Sequence, residues 1–260
     1  EKKSLPKTVI KLTDEIYQKG EKEKNSPQML KAYAWRMKYR EMLNPDSLYA
    51  GLKGLEQWVK QTDQPMDRAI LHSLIAEIYA NYAANNQWQL RQRTEIVGQT
   101  PSADIREWTA NMFVEKVRTN VKEALADSVL LLKTSSRDYI PFVELGKTSE
   151  YYHHDLYHLL ASRGIDALLQ VEKLGSGYTE TNAVNPVKQD IIAIYGNMLS
   201  AYKAAGLKEG YVLTALNYLE WRRGAERYIR PLQAKGEASV LTDDTYLKAL
   251  NTLKSKYASE

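Results

Sequence analysis

Residues 67–86 read DRAILHSLIAEIYANYAANN, with apolar side chains at Ile70, Leu71, Leu74, Ile75, Ile78, Tyr79 and Tyr82. Gaps of three and four residues put all seven on one stripe of an α-helix, which turns once in about 3.6 residues. A strand would need apolar residues at every second position, and no stretch of comparable length alternates that way. The same stripe returns in successive segments separated by short Gly, Pro, Asn and Asp punctuation. The pattern predicts an all-α chain, a degenerate tetratricopeptide-like α-solenoid of antiparallel helix pairs. Residues 1–260 are expected to form a single elongated all-helical domain.

Toward the amino terminus the spacing predicts a first helix over 5–19, with Pro6 in its opening turn and Val9, Ile10, Leu12, Ile16 and Tyr17 inward. Ser26 then reads as an N-cap with Pro27 at the first helical position. Met29, Leu30, Tyr33, Ala34, Met37 and Tyr39 carry the second stripe as far as Leu43. Asn44-Pro45-Asp46 stops that helix and opens the next over 47–61, which buries Leu48, Leu52, Leu55, Trp58 and Val59. Asp63-Gln64-Pro65 repeats the device. Two helices with their turns take about 40 residues, near the size of a tetratricopeptide unit, and no fixed-offset consensus recurs.

Toward the carboxyl terminus, Arg91, Arg93, Thr94, Gly98, Thr100 and Pro101 mark a long loop over 88–103. Residues 104–108 form a helical turn before a helix over 110–133 that carries Met112, Phe113, Val117, Val121, Leu125 and the apolar run 129–132. Periodicity leaves 139–145 open between a helical turn and an extended piece. A helix over 155–174 ends at Gly175-Ser176-Gly177, and 175–185 is the candidate hinge. Helices follow over 186–205, 208–224, 225–234 and 242–257, the last capped by Thr242-Asp243-Asp244.

Net charge is +4 with 26% charged residues of both signs, too mild and mixed to call for nucleic acid. Eleven basic against five acidic residues fall in the first forty, interleaved as on a solvated helix face. Cysteine is absent, which removes disulfides, thiolate nucleophiles and Cys-ligated zinc together. No run reaches the roughly 18 to 20 apolar residues of a membrane span, so no membrane insertion is expected. The chain has no initiator Met and no export signal, and a leader trimmed from the native gene is the expectation.

His154 and His158 form an i, i+4 pair, the spacing with which a helix grips a metal. Asp155 stands where a zinc protease has its general-base Glu, and no third ligand follows. The reading is therefore no metal and no cofactor: Asp155 lies in the first turn of a helix and the imidazoles of His153, His154 and His158 at its surface. No Ser occupies a Gly-x-Ser-x-Gly elbow, and His72 sits in a helix stripe. Glu77 reads as a polar-face residue or salt-bridge partner. The chain is expected not to be an enzyme. Tyrosine, at 18 residues, suits thin helical layers, because the ring fills a core while the hydroxyl reaches water. Packing is the first account of the exposed-type aromatics. The second is recognition, with Trp88, Arg91, Trp221, Arg222 and Arg223 as partner-binding candidates.

Several segments resemble the amino-terminal helical region of large bacterial alpha-macroglobulin-like envelope proteins. They are Leu5-Pro6-Lys7-Thr8 with Asp14-Glu15-Ile16-Tyr17, Pro27-Gln28 with Leu30-Lys31-Ala32, and His72-Ser73-Leu74-Ile75-Ala76-Glu77 with Tyr79, Asn86 and Trp88. Asp104-Ile105-Arg106-Glu107-Trp108 and Leu156-Tyr157 with Leu160, Ala161 and Arg163 continue it over most of the chain. The resemblance implies β-sandwich domains beyond Glu260, a periplasmic or outer-membrane lipoprotein setting, and protease inhibition by the whole protein. The thioester trap of some members needs a Cys, so it cannot lie in these residues. The implied role is a helical spacer or docking module whose partner is a protein or peptide, including other domains of the same polypeptide. His153-His154 departs from the family pattern and inherits no role. A stand-alone tetratricopeptide-like adaptor is the second reading, and a metal-dependent enzyme through His154 and His158 the third.

Overall fold

Helix follows helix through the described residues, 4–94, 102–174, 185–226 and 243–257 of a computed structural model. In order they are α1 (Ser4–Glu23), α2 (Ser26–Leu43), α3 (Ser47–Gln61), α4 (Pro65–Asn85), α5 (Gln87–Arg91), α6 (Ala110–Ala124), α7 (Ser128–Lys133), α8 (Leu156–Glu172), α9 (Pro186–Ala205), α10 (Lys208–Glu226) and α11 (Asp243–Tyr257). Short 3-10 turns occupy Ile105–Glu107 and Ser136–Tyr139. The protein is all-helical over these residues, apart from an isolated bridge between Ser135 and Asp155. No described helix is long and apolar enough to cross a membrane.

The described chain divides into two compact units. Unit 1 comprises Glu1–Ser149 with His153–Gly175, and unit 2 comprises Glu150–Tyr152 with Ser176–Glu260. The candidate hinge at 175–184 lies outside the described residues, as do 95–101, the Thr242 cap and the 225–234 helix beyond Glu226. Ala225 and Glu226 continue α10 instead of opening a new helix, because a glycine such as Gly224 weakens a helix without ending it.

Within unit 1 the pairs α1/α2 and α4/α6 run antiparallel. Tyr17 meets Tyr33 while Asp14 meets Arg36, so position falls along α1 as it rises along α2. Tyr82 stacks on Phe113 while His72 reaches Asn120, which sets the same sense for α4 and α6. Ile70, Leu71, Ile75, Tyr79, Ala80 and Ala83 of α4 are all nearly inaccessible, so α4 is the central helix. In unit 2, Tyr202 lies beside Gly210 and Tyr195 beside Tyr218, which pairs α9 with α10 antiparallel.

Several local expectations are corrected. Asn25, and not Ser26, caps α2: its side chain accepts from the Gln28 amide, and Ser26 turns to a distant carboxylate. Leu12 and Ile16 of α1 are about half exposed and not inward, because α2 covers the side that carries Thr13, Tyr17 and Gly20. The stretch 88–103 opens with the short helix α5. The helix expected over 110–133 breaks at 125–127, where the Asp127 side chain caps a new start by accepting from the Leu130 amide. Four consecutive apolar residues cannot share one helix face, so Leu131 is buried while Val129, Leu130 and Leu132 face solvent.

Buried tyrosines give unit 1 an alkaline weakness. Burial raises the Tyr33 and Tyr17 hydroxyls above their ordinary range, and it raises Tyr79 and Tyr139 further with the help of nearby Glu56 and Asp67. The folded chain then keeps protons that the unfolded chain releases from about pH 10 upward, so stability is lost as pH rises beyond that point. Urea midpoints should fall steeply between about pH 10 and 12, and Tyr139→Phe should flatten the decline. Equal slopes in the two proteins would refute the assignment.

Candidate functional site

An open cleft of about 540 Å³ lies in unit 1. Tyr33 and Met37 of α2, Ile70, Leu74 and Ile78 of α4, and Leu156 and Leu160 of α8 supply apolar lining, with Phe142 and Val143 from the segment before α8. Charges also line it: Lys38, Glu41, Glu144, and Glu77 in an ion pair with Arg163 that joins α4 to α8. Its volume falls in the usual range for small-ligand or peptide side-chain pockets. Glu77 thus takes the salt-bridge role expected of it.

Polar residues elsewhere in unit 1 tie helices together. Asp67, almost fully buried in the first turn of α4, accepts from the Ser26 hydroxyl of α2 and from the Tyr139 hydroxyl at 2.8 Å. His72 donates from Nδ1 to the Asn120 amide oxygen at 2.8 Å, and Asn120 in turn donates to the Lys116 carbonyl. Glu56 of α3 accepts from the Tyr79 hydroxyl at 3.0 Å and pairs with Lys116 of α6 at 2.8 Å. These networks satisfy buried polar atoms and hold neighbouring helices in register.

A second cluster forms where α8 begins. Asp155 is the N-cap, not a first-turn residue, and its carboxylate accepts from the His158 amide at 2.8 Å. The His158 ring follows it: Nδ1 lies 2.8 Å from Oδ2 and 3.0 Å from Oδ1 of the same carboxylate. Nε2 of His154 lies 3.2 Å from that Oδ2, and the two imidazoles stack with centroids 5.7 Å apart. The expectation of surface imidazoles is therefore wrong for His158, which is 1% exposed, while His154 is about one-third exposed. Nor do the two share a helix face, since His154 precedes the cap. Burial holds the His154 imidazole below its ordinary range and pushes His153 down to about 4.

Backbone contacts hold this cluster in place. The Ser136 amide donates to the His154 carbonyl at 3.0 Å, and its hydroxyl reaches the His153 and His154 carbonyls. The Leu156 amide donates to the Thr134 carbonyl at 2.9 Å. Sequence reasoning missed Asp155 as a third donor because it placed that residue inside the helix. A cap carboxylate three residues before a histidine is the local signal for the contact.

The partner-binding candidates divide between the units. Trp88, 70% exposed, and Arg91 lie on α5 in unit 1. Trp221 is half-buried on α10 in unit 2, where it stacks on Tyr195 and Tyr218. Arg222 lies over the Tyr218 ring, and Arg223 lies over Tyr246 and pairs with Asp243. Trp88→Ala should change stability by less than about 0.5 kcal/mol, whereas Trp221→Ala should cost about 2 kcal/mol in chemical denaturation. A reversed order would contradict the packing role of Trp221.

Comparison with protein-family models, with curated proteins and with solved structures finds no match to this chain.

Proposed function

We propose that this chain is a non-enzymatic helical module, a spacer or docking element at the front of a larger envelope-associated alpha-macroglobulin-like protein. On this reading its antiparallel helix pairs are a degenerate tetratricopeptide-like solenoid, and protease defence belongs to the rest of that polypeptide. The observation that carries the reading is where the resembling residues sit. Leu30, Ala32, Ile75, Ala76, Tyr79, Ile105, Trp108, Leu156, Tyr157, Leu160 and Ala161 are all buried in unit 1, and Trp108 stacks on Tyr79 at 5.3 Å. These apolar members of the motif are packing residues, although Leu5, Ile16 and Trp88 of the same motif are exposed, and the buried part supports a scaffold role over a reaction centre.

A stand-alone adaptor that holds a peptide segment is the second reading, and the apolar cleft favours it. An antibody to this segment separates the two when the native polypeptide is sized in fractionated source cells. A band several times larger than 29.8 kDa in the envelope fraction is the expected result. A free species near 29.8 kDa outside the envelope would overturn the module reading in favour of the adaptor.

A further inference from the structure

Two imidazoles converge on one carboxylate oxygen at the start of α8. Oδ2 of Asp155 lies 3.2 Å from Nε2 of His154 and 2.8 Å from Nδ1 of His158. One ligand atom from each of the three residues lies within 4.8 Å of the other two. Tetrahedral zinc with bonds of about 2.0 to 2.1 Å sets its ligand atoms about 3.3 Å apart, so small side-chain adjustments suffice.

We propose that His154, Asp155 and His158 form a three-ligand site for a borderline divalent cation such as Zn²⁺. The ion takes the space between Oδ2 and the two ring nitrogens. His158 ligates through Nδ1 in its Nε2–H tautomer, and His154 through Nε2. Oδ1 keeps the His158 amide hydrogen bond, so the cap that orients the carboxylate survives metal binding. The partly exposed side of His154 leaves the fourth position to water. A nitrogen and oxygen donor set with no thiolate suits Zn²⁺ or Co²⁺ and is too nitrogen-rich for Ca²⁺ or Mg²⁺.

The ligand set is also preorganised. Five consecutive residues supply all the ligands, and both ends of that span are held. Ser136 grips the His154 carbonyl, the Leu156 amide is tied to Thr134, and His158 is locked in the first turn of a 17-residue helix. The bound ion would stiffen the helix start, which backbone hydrogen bonds already tie to the 134–136 segment. It would do so whether the chain is a module of a larger protein or an adaptor, so this inference stands apart from the proposed function.

The test is titration of the tag-free chain, stripped with chelator, with Zn²⁺ by calorimetry and with Co²⁺ by visible absorption. One equivalent of Zn²⁺ and a four-coordinate cobalt spectrum are expected. Asp155→Asn keeps an oxygen for the cap and removes the anionic ligand, and the partly exposed His154→Gln spares the buried ring. Each should weaken Zn²⁺ binding by about 100-fold while far-ultraviolet dichroism stays at the wild-type level. Absence of saturable binding in the wild type, or affinity unchanged in either folded variant, would overturn the site.

Discussion

Asp67→Ala is expected to destabilise unit 1 by about 3 kcal/mol in urea unfolding followed by dichroism. Opposing effects set the size. Removing a buried carboxylate relieves the cost of keeping its charge away from water, and this favours the variant. Against it, the buried Tyr139 hydroxyl and the half-buried Ser26 hydroxyl both lose their acceptor, and a small void opens. An unpaired buried hydroxyl costs about 1 to 3 kcal/mol and the half-buried one less, and together they outweigh the relief. The lost carboxylate also sat in the first turn of α4, where the helix dipole favours negative charge. Asp67→Asn, which keeps an oxygen at the same place, should cost less than half as much. A cycle with Tyr139→Phe should show coupling above about 0.5 kcal/mol. An alanine variant within about 0.5 kcal/mol of wild type would show that these hydroxyls find other partners.

The second large effect concerns unit 2. Gly210→Ala should destabilise it by about 2 kcal/mol, although alanine is the better helix former by about 1 kcal/mol. A Cβ at position 210 would lie 2.5 Å from the Tyr151 carbonyl oxygen and 2.5 Å from the Tyr202 ring. Neither obstacle is a flexible side-chain tip. The first is backbone, and Tyr202 is fully buried on α9, so α9 and α10 would have to separate. Overpacking of this kind costs about 1 to 3 kcal/mol or more and exceeds the propensity gain. Gly210→Val should be worse, since it adds two methyl groups and stiffens the side chain at a helical position. By contrast Gly196, with nothing within 4 Å of its added Cβ, should be stabilised by alanine. Equal melting curves for Gly210→Ala and wild type would refute the close approach.

Zinc binding at the α8 start and the packing around Asp67 and Gly210 rest on different residues. Loss of zinc binding in His154→Gln leaves Asp67 and Gly210 untouched. A collapse of Asp67→Ala says nothing of the α8 cap.

What the sequence determined by itself was local. Apolar spacing over three and four residues is settled within a single helix, so α3, α4, α9 and most of α6 could be placed before any neighbour was known. Turn residues such as Asn44-Pro45-Asp46 and Asp63-Gln64-Pro65 act within their own few positions, and they ended and opened helices where expected. The tertiary structure decided which flank of each stripe is covered. Leu12 and Ile16 are as apolar as Ile75, but α2 reaches only one side of α1, whereas α3, α6 and α8 surround α4. It also decided every tie across long sequence separation, such as Asp67 to Tyr139, because a hydrogen bond spanning 72 positions leaves no periodic trace. The histidines show both limits in one place. Their spacing was plain in the chain, but the burial of His158 and the turn of Asp155 toward both rings depend on where the 134–136 segment lies, which no local pattern encodes.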